Sequence, residues 1–144
     1  MNAFAPDANQ SVNDLTKGLP PPPWAATLIV DEGGYLRLSP ETMAKDFAQD
    51  LPAAQTAVMA ATQGPIQAHA FDDKVAYAAW TSRPSWYIVG TNDHMIAPDL
   101  ERAMAKKIGA TVTTLATSHV PQQSQPGKVA EVILAAVKAS APKQ

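Results

Sequence analysis

Trp86-Tyr87-Ile88-Val89 is an unbroken apolar run, and it constrains this chain more than any other stretch. Four consecutive side chains of this kind leave no solvent face, so a strand built from them must be covered on both sides. A helical pattern follows. Pro98-Asp99-Leu100 opens it, and Leu100, Met104 and Ile108 fall on one side. Lys106 and Lys107 complement the C-terminal end of the helix dipole, and Gly109 fits the C-cap. Thr111-Val112-Thr113-Thr114-Leu115 then reads as a second strand. Gln125-Pro126-Gly127 leads into a last helix carrying Val129, Val132, Ile133 and Val137. Strand, helix, strand, helix in this order predicts a right-handed parallel unit. Two parallel strands are too few for a stable sheet, so the unit reads as the end of a larger one.

Each strand is followed by a loop with chemically useful residues. Gly90-Thr91-Asn92-Asp93 comes directly after the first, and Ser118-His119-Val120-Pro121 shortly after the second. Asp93 and His119 are 26 residues apart, and a parallel strand pair would bring both loops out at the same edge. A carboxylate and an imidazole so placed are two of the three parts of a Ser-His-Asp site. The carboxylate fixes the imidazole tautomer, and the imidazole moves the nucleophile's proton. Asp93 also has a plainer reading, as the residue that turns Thr91–His94 or caps the next helix. His119 has one too, as a loop histidine without a role. His94 is adjacent to Asp93 but points the other way on an extended segment, and His69 reads as structural or exposed. His69 with Asp72-Asp73 lacks metal-ligand spacing, so no metal and no cofactor are expected.

The nucleophile is missing. No G-x-S-x-G occurs, and there is no cysteine to replace the serine. Ser82, Ser85, Ser118 and Ser124 do not sit between glycines on a strand-to-helix turn.

Composition limits the alternatives. A chain of 144 residues with 46% hydrophobic and 17% charged residues can build one ordinary core. A net charge of −2 gives no reason to expect nucleic acid or an anionic membrane surface as a partner. No apolar run approaches the roughly 20 residues of a membrane span. The first residues lack a secretory signal's basic and apolar regions, so a cytoplasmic location is the default expectation.

Upstream, Pro20-Pro21-Pro22-Pro23-Trp24 reads as a stiff connector beside a packed tryptophan. Thr27–Val30 and Tyr35–Leu38 flank Asp31-Glu32-Gly33-Gly34 as a hairpin. Ser39-Pro40-Glu41 opens a helix with Ser39 as N-cap, and Asp50-Leu51-Pro52 opens another that Gly64-Pro65 stops. The alanine-rich stretch after it predicts a short helix near Lys74–Ala79.

The order of these features resembles the C-terminal half of an α/β-hydrolase, similar to the methylesterase and hydroxynitrile lyase group of small esterases. Ala3-Phe4-Ala5-Pro6-Asp7 resembles the exit of the sixth sheet strand. The run from Trp80 to Trp86, W-x-x-x-P-S-W, resembles the approach to the seventh. The Asp93 and His119 loops resemble those bearing the triad acid and histidine. The resemblance implies an α/β fold with a partial α/β-hydrolase architecture, a short parallel sheet remnant with flanking helices. It divides the chain into residues 1–10 (exit of a truncated strand), 11–80 (a cap-like segment with hairpin and helices) and 81–144 (the last core units). The first five strands, the oxyanion loop and the serine elbow of that family have no counterpart.

Three functions follow as expectations. The first is hydrolysis of a small carboxylic ester or similar acyl substrate, with this chain inactive until complemented by an N-terminal segment or chain. The second is a non-catalytic remnant or interaction subunit that associates with itself or a partner through an exposed sheet edge. The third is a lyase using the same residues.

Overall fold

The computed structural model describes residues 1–141. Its centre is the strand β4, Trp86–Gly90, whose last four residues are buried. Three short strands precede it: β1 (Ile29–Val30), β2 (Tyr35–Arg37) and β3 (Ile66–Gln67). β4 pairs in parallel with β5, Thr111–Leu115, in a register that sets Trp86 against Thr111 and Gly90 against Leu115. Among the described residues there are six α-helices: α1 (Val12–Thr16), α2 (Pro40–Thr42), α3 (Ala53–Thr62), α4 (Pro98–Lys107), α5 (Pro121–Ser124) and α6 (Pro126–Ser140).

The pleat sorts β4's side chains between two layers. Tyr87 and Val89 pack on Ala105 of α4, with Ile108 and Ala110 beside them. Ile88 points the other way and packs with Leu115 and with Val129 and Val132 of α6. A continuous apolar run is what a strand between two helices requires. α4 carries a second contact toward the chain's beginning, where Met104 packs with Ala5 and Ile96, and Phe4, Leu15 and Leu100 close around them. Lys107, at the end of α4, donates to the Ala5 carbonyl at 2.6 Å and lies 5.2 Å from the centre of the Trp80 ring. The segment 2–5 thus runs beside β4, tied by a hydrogen bond from Asn2 N–H to the Ile88 carbonyl at 3.1 Å.

The last helix forms as expected, but its apolar side is only partly covered. Val129 is buried and Val132 half-buried, but Ile133, Leu134 and Val137 are exposed. A sheet two strands wide covers a narrow stripe of α6, at the spacing of Val129 and Val132, and leaves the flanking positions open.

The N-terminal half follows its turn chemistry. β1 and β2 form the expected hairpin, with Gly34 at φ +76° and the Asp31 carboxylate accepting from Gly33 and Tyr35 amides. β3 adds a third, antiparallel strand through Leu36 and Ile66. Ser39 caps α2 by accepting from Thr42 N–H, and the chain continues as a π-helical turn over Met43–Phe47. α3 stops at Thr62. Gln63 then turns its amide onto the backbone of Leu38, accepting from its N–H and donating to its carbonyl.

The helix expected near Lys74–Ala79 does not form. Val75 is extended instead, and its N–H and carbonyl are both taken by the backbone of Asn9 and Gln10. A long-range pair of backbone bonds overrides the local alanine preference. Only 3-10 turns flank it, at Ala68–Phe71 and Ala79–Thr81. The last strand-and-helix unit was expected to run to residue 144, and 142–144 lie outside the described residues. Among the described residues no helix is long and apolar enough to cross a membrane.

Met104 tests this packing, because it is 2% exposed and joins α4 to the segment 2–5. Met104→Ala should destabilise the chain by about 2–5 kcal/mol. Val58→Ala, at a position 61% exposed, should stay within about 0.5 kcal/mol of the parent. Urea melts of the two variants check the difference.

Candidate active site

β4 and β5 end side by side, so the loops that leave them emerge at the same edge. The ladder continues briefly into those loops. Thr91 N–H donates to the Leu115 carbonyl and Asn92 N–H to that of Thr117. Gly90 sits where the loops are closest. A Cβ there would come within 2.8 Å of Asn2 Nδ2 and 2.9 Å of the carbonyl oxygens of Thr117 and Ser118. No side chain fits in that space, and the close approach exists because residue 90 has none.

Asp93 is 2% exposed, and four donors satisfy its carboxylate. Oδ1 accepts from the backbone amides of Met95 at 2.7 Å and Ile96 at 3.0 Å. Oδ2 accepts from Asn2 Nδ2 at 2.9 Å and faces His119 Nδ1 at 2.7 Å. One oxygen fixes the loop, as the turn reading expects, and the other faces the histidine. Burying a carboxylate without partners is costly, and each of these oxygens has two.

His119 follows the buried Ser118, and its side chain keeps 20% of its surface exposed. With Nδ1 directed at Asp93, Nε2 is the ring nitrogen left for chemistry. The imidazole packs against the Phe47 ring, centroids 5.0 Å apart and planes tilted by 59°. α5 starts two residues later with the buried Pro121, which stiffens the loop's exit.

The other histidines are elsewhere. His94 Nδ1 lies 3.3 Å from the Lys45 carbonyl and 3.4 Å from Asp46 Oδ1 on the exposed side of the acid loop. His69 is exposed in a 3-10 turn. Ser118 Oγ donates to Asp50, which occupies the hydroxyl proton a nucleophile would have to lose. Among the described residues no three His, Asp or Glu side chains converge as a metal would need.

A model of the Alpha/beta hydrolase family matches residues 2–132. The chain belongs to that family. No curated protein matches the sequence significantly. Among solved structures, polyneuridine aldehyde esterase superposes with a TM-score of 0.71 at 17% identity, over 90% of this chain and 57% of its own. A mutant of that enzyme gives 0.76 at 17% identity, over 98% and 60%. A pyrethroid hydrolase from Sphingobium faniae JZ-2 gives 0.71 at 22% identity, over 96% and 59%. These likenesses are of fold, and the chain spans under two thirds of the length of each structure. Its α/β-hydrolase fold puts Asp93 and His119 at the carboxyl edge of the parallel strands, where open α/β sheets present functional groups.

Three contributors to the site had no local sequence signal. Asn2 is 91 residues from Asp93, yet its Nδ2 bridges Asp93 Oδ2 and the Ser118 carbonyl. It holds φ +42°, a conformation asparagine tolerates better than most residues. Asp50 looked like the opening of α3, but its carboxylate reaches Ser118. Glu101 lies on α4, one helical turn past Pro98, where it reads as a first-turn acid complementing the helix dipole. It is instead fully buried, and its Oε2 accepts from Gly90 N–H at 3.1 Å.

Burial, reinforced by the nearby Asp93 charge, pushes the Glu101 carboxyl up to about 8. The neutral acid is therefore the form that supports Gly90 at neutral pH. Because the folded-state value lies above the ordinary 4.5, Glu101's contribution to stability is complete below about pH 4.5 and is lost as pH rises through about 8. Glu101→Gln keeps an acceptor for Gly90 N–H and cannot ionise. It should flatten this part of the stability profile, seen as urea midpoints that no longer fall between those two pH values.

Proposed function

We propose that the chain carries the acid–base half of a Ser-His-Asp hydrolase site for small carboxylic esters or similar acyl compounds. The observation that carries the reading is the 2.7 Å contact between Asp93 and His119 at the ends of adjacent parallel strands. The fold's likeness to an esterase and to a pyrethroid hydrolase supports it.

In this reading Asp93 holds the imidazole with its proton on Nδ1, so that Nε2 can accept. Nε2 takes the proton of a hydroxyl nucleophile as its oxygen bonds to the acyl carbon. The imidazolium, steadied by Asp93, then gives that proton to the departing alkoxide as the ester C–O bond breaks. A water, activated by the same imidazole, releases the acid. The nucleophile and the oxyanion donors come from a segment outside these 144 residues, on the same polypeptide or on a second chain. Residues 11–80 act as a cap beside the site, and the cytoplasm is the location that fits.

The apolar side chains left open on α6, Ile133, Leu134 and Val137, together with Val112 on β5, favour a chain that is covered by a partner. The complementing segment is the natural occupant and self-association the substitute for it. Light scattering over a dilution series should show mass rising with concentration when the chain is alone. A compact monomer at high concentration would contradict this.

The purified chain alone should turn over a short activated acyl ester no faster than buffer, because an acid and a base without nucleophile or oxyanion donors keep little of the triad's effect. Turnover that disappears in His119→Ala would show a nucleophile within the chain. Once complemented by a segment bearing G-x-S-x-G, the assembly should hydrolyse the ester, and Asp93→Asn should lower that turnover by about 10⁴-fold. An Asp93→Asn assembly as fast as the parent would refute the acid's role.

A further inference from the structure

The six residues Lys45–Asp50 touch both loops of the candidate site from 43 to 72 residues away in sequence. The π-helical turn over Met43–Phe47, closed by Ala48 N–H on the Met43 carbonyl at 3.0 Å, swings the chain toward the sheet edge. Such turns recur at functional sites because they re-aim the side chains that follow. Here the turn brings the Phe47 ring against the His119 ring. Ala48, wholly buried, lets the backbone pass, and Gln49 Nε2 then donates to the Asn92 carbonyl in the acid loop. Asp50 completes the strap. Its Oδ2 accepts from Ser118 N–H at 2.8 Å, and its Oδ1 accepts from the Ser118 hydroxyl.

The Asp50 contact is a fork: two donors of one residue meet two oxygens of one carboxylate. That fixes the orientation of Ser118 as well as its position, and hydrogen bonds to a carboxylate are the stronger kind. Ser118 is wholly buried and is bonded to His119 by a single peptide unit. On its other side, the Ser118 carbonyl accepts from Asn2 at 3.0 Å. Amide, hydroxyl and carbonyl of the residue before the histidine are all held, which leaves the His119 backbone little room to rotate. Burial works against the Asp50 charge, but the Ser118 and Ser124 donors outweigh it and hold the carboxyl below its ordinary value.

We propose that Asp50 is a positioning residue for His119, so that docking of the N-terminal strap sets the geometry of the catalytic imidazole. This rests on the reading of His119 as the site's base. It adds that the base is competent only while the strap is docked. A displaced strap releases Ser118 and removes the Phe47 ring from the imidazole.

The test is proton NMR of the full chain with ¹⁵N-labelled histidine. His119 should give a downfield Nδ1–H signal protected by Asp93, whereas the exposed His69 and His94 should not. Asp50→Ala should abolish the signal or speed its exchange with solvent by about tenfold or more, while cooperative unfolding is retained. Asp46→Asn, on the same strap but facing His94, should leave it unchanged. If Asp50→Ala does not unfold cooperatively, Ser118→Ala decides by the same criterion, since it removes only one hydroxyl. A folded variant with the signal and its exchange unaltered overturns the role of Asp50 and leaves the Asp93–His119 reading standing. Absence of the signal from the unaltered chain overturns both.

Discussion

The site exists because residue 90 has no side chain. Parallel pairing sets Gly90 opposite Leu115, and the strands' exits would already be neighbours for that reason alone. Neighbouring exits are not enough for a hydrogen bond of 2.7 Å between side chains on two loops. The carbonyls of Thr117 and Ser118 and the amide of Asn2 must all crowd onto the space where a Cβ would stand. Glu101 holds the same residue from the helix side, through the Gly90 N–H. A strand end, two loops, a helix and the chain's first residues therefore meet at one glycine, and Asp93 and His119 inherit their separation from it.

Charge is managed around this point by pairing and by neutrality. Two backbone amides, an asparagine amide and an imidazole surround the buried Asp93 carboxylate. Glu101, close by, has one N–H for one oxygen and no protein partner among the described residues for the other. Two buried carboxylates this close cannot both be charged without cost, and the one with fewer donors gives way. Neutral Glu101 adds no second negative charge beside the Asp93–His119 contact.

The parts of the chain that were legible in the sequence are those decided locally. The apolar run Trp86–Val89, the Pro98 start and Gly109 end of α4, and the Ser39 cap of α2 each follow from period or from turn chemistry within a few residues. That Asp93 and His119 would stand on neighbouring loops was legible for the same reason, since each lies a few residues past a readable strand. What escaped was set by contacts across the chain. Val75 looked helical among alanines but pairs with Asn9 and Gln10. Ile66 joins the hairpin as a third strand with only two residues. Asn2, Asp50 and Glu101 are ordinary polar residues in their own neighbourhoods, and only the folded chain brings them to the Asp93 and His119 loops. Ile133 and Val137 show the reverse: the pattern on α6 is amphipathic as expected, but the sheet beneath it is too narrow to cover the whole stripe.

The acid–base site proposed for Asp93 and His119 requires one hydrogen bond in which His119 donates from Nδ1 to Asp93 and keeps Nε2 free of a proton. The ¹⁵N chemical shifts of the His119 ring at pH values where it is neutral test that directly. Nδ1 should resonate as a protonated nitrogen and Nε2 as a bare one, with the Nδ1 proton coupled through to a carboxylate that disappears in Asp93→Asn. Protonation on Nε2, or shifts averaged between the two nitrogens as in a free histidine, would show that Asp93 does not hold the imidazole, and the acid–base reading of the site would fall.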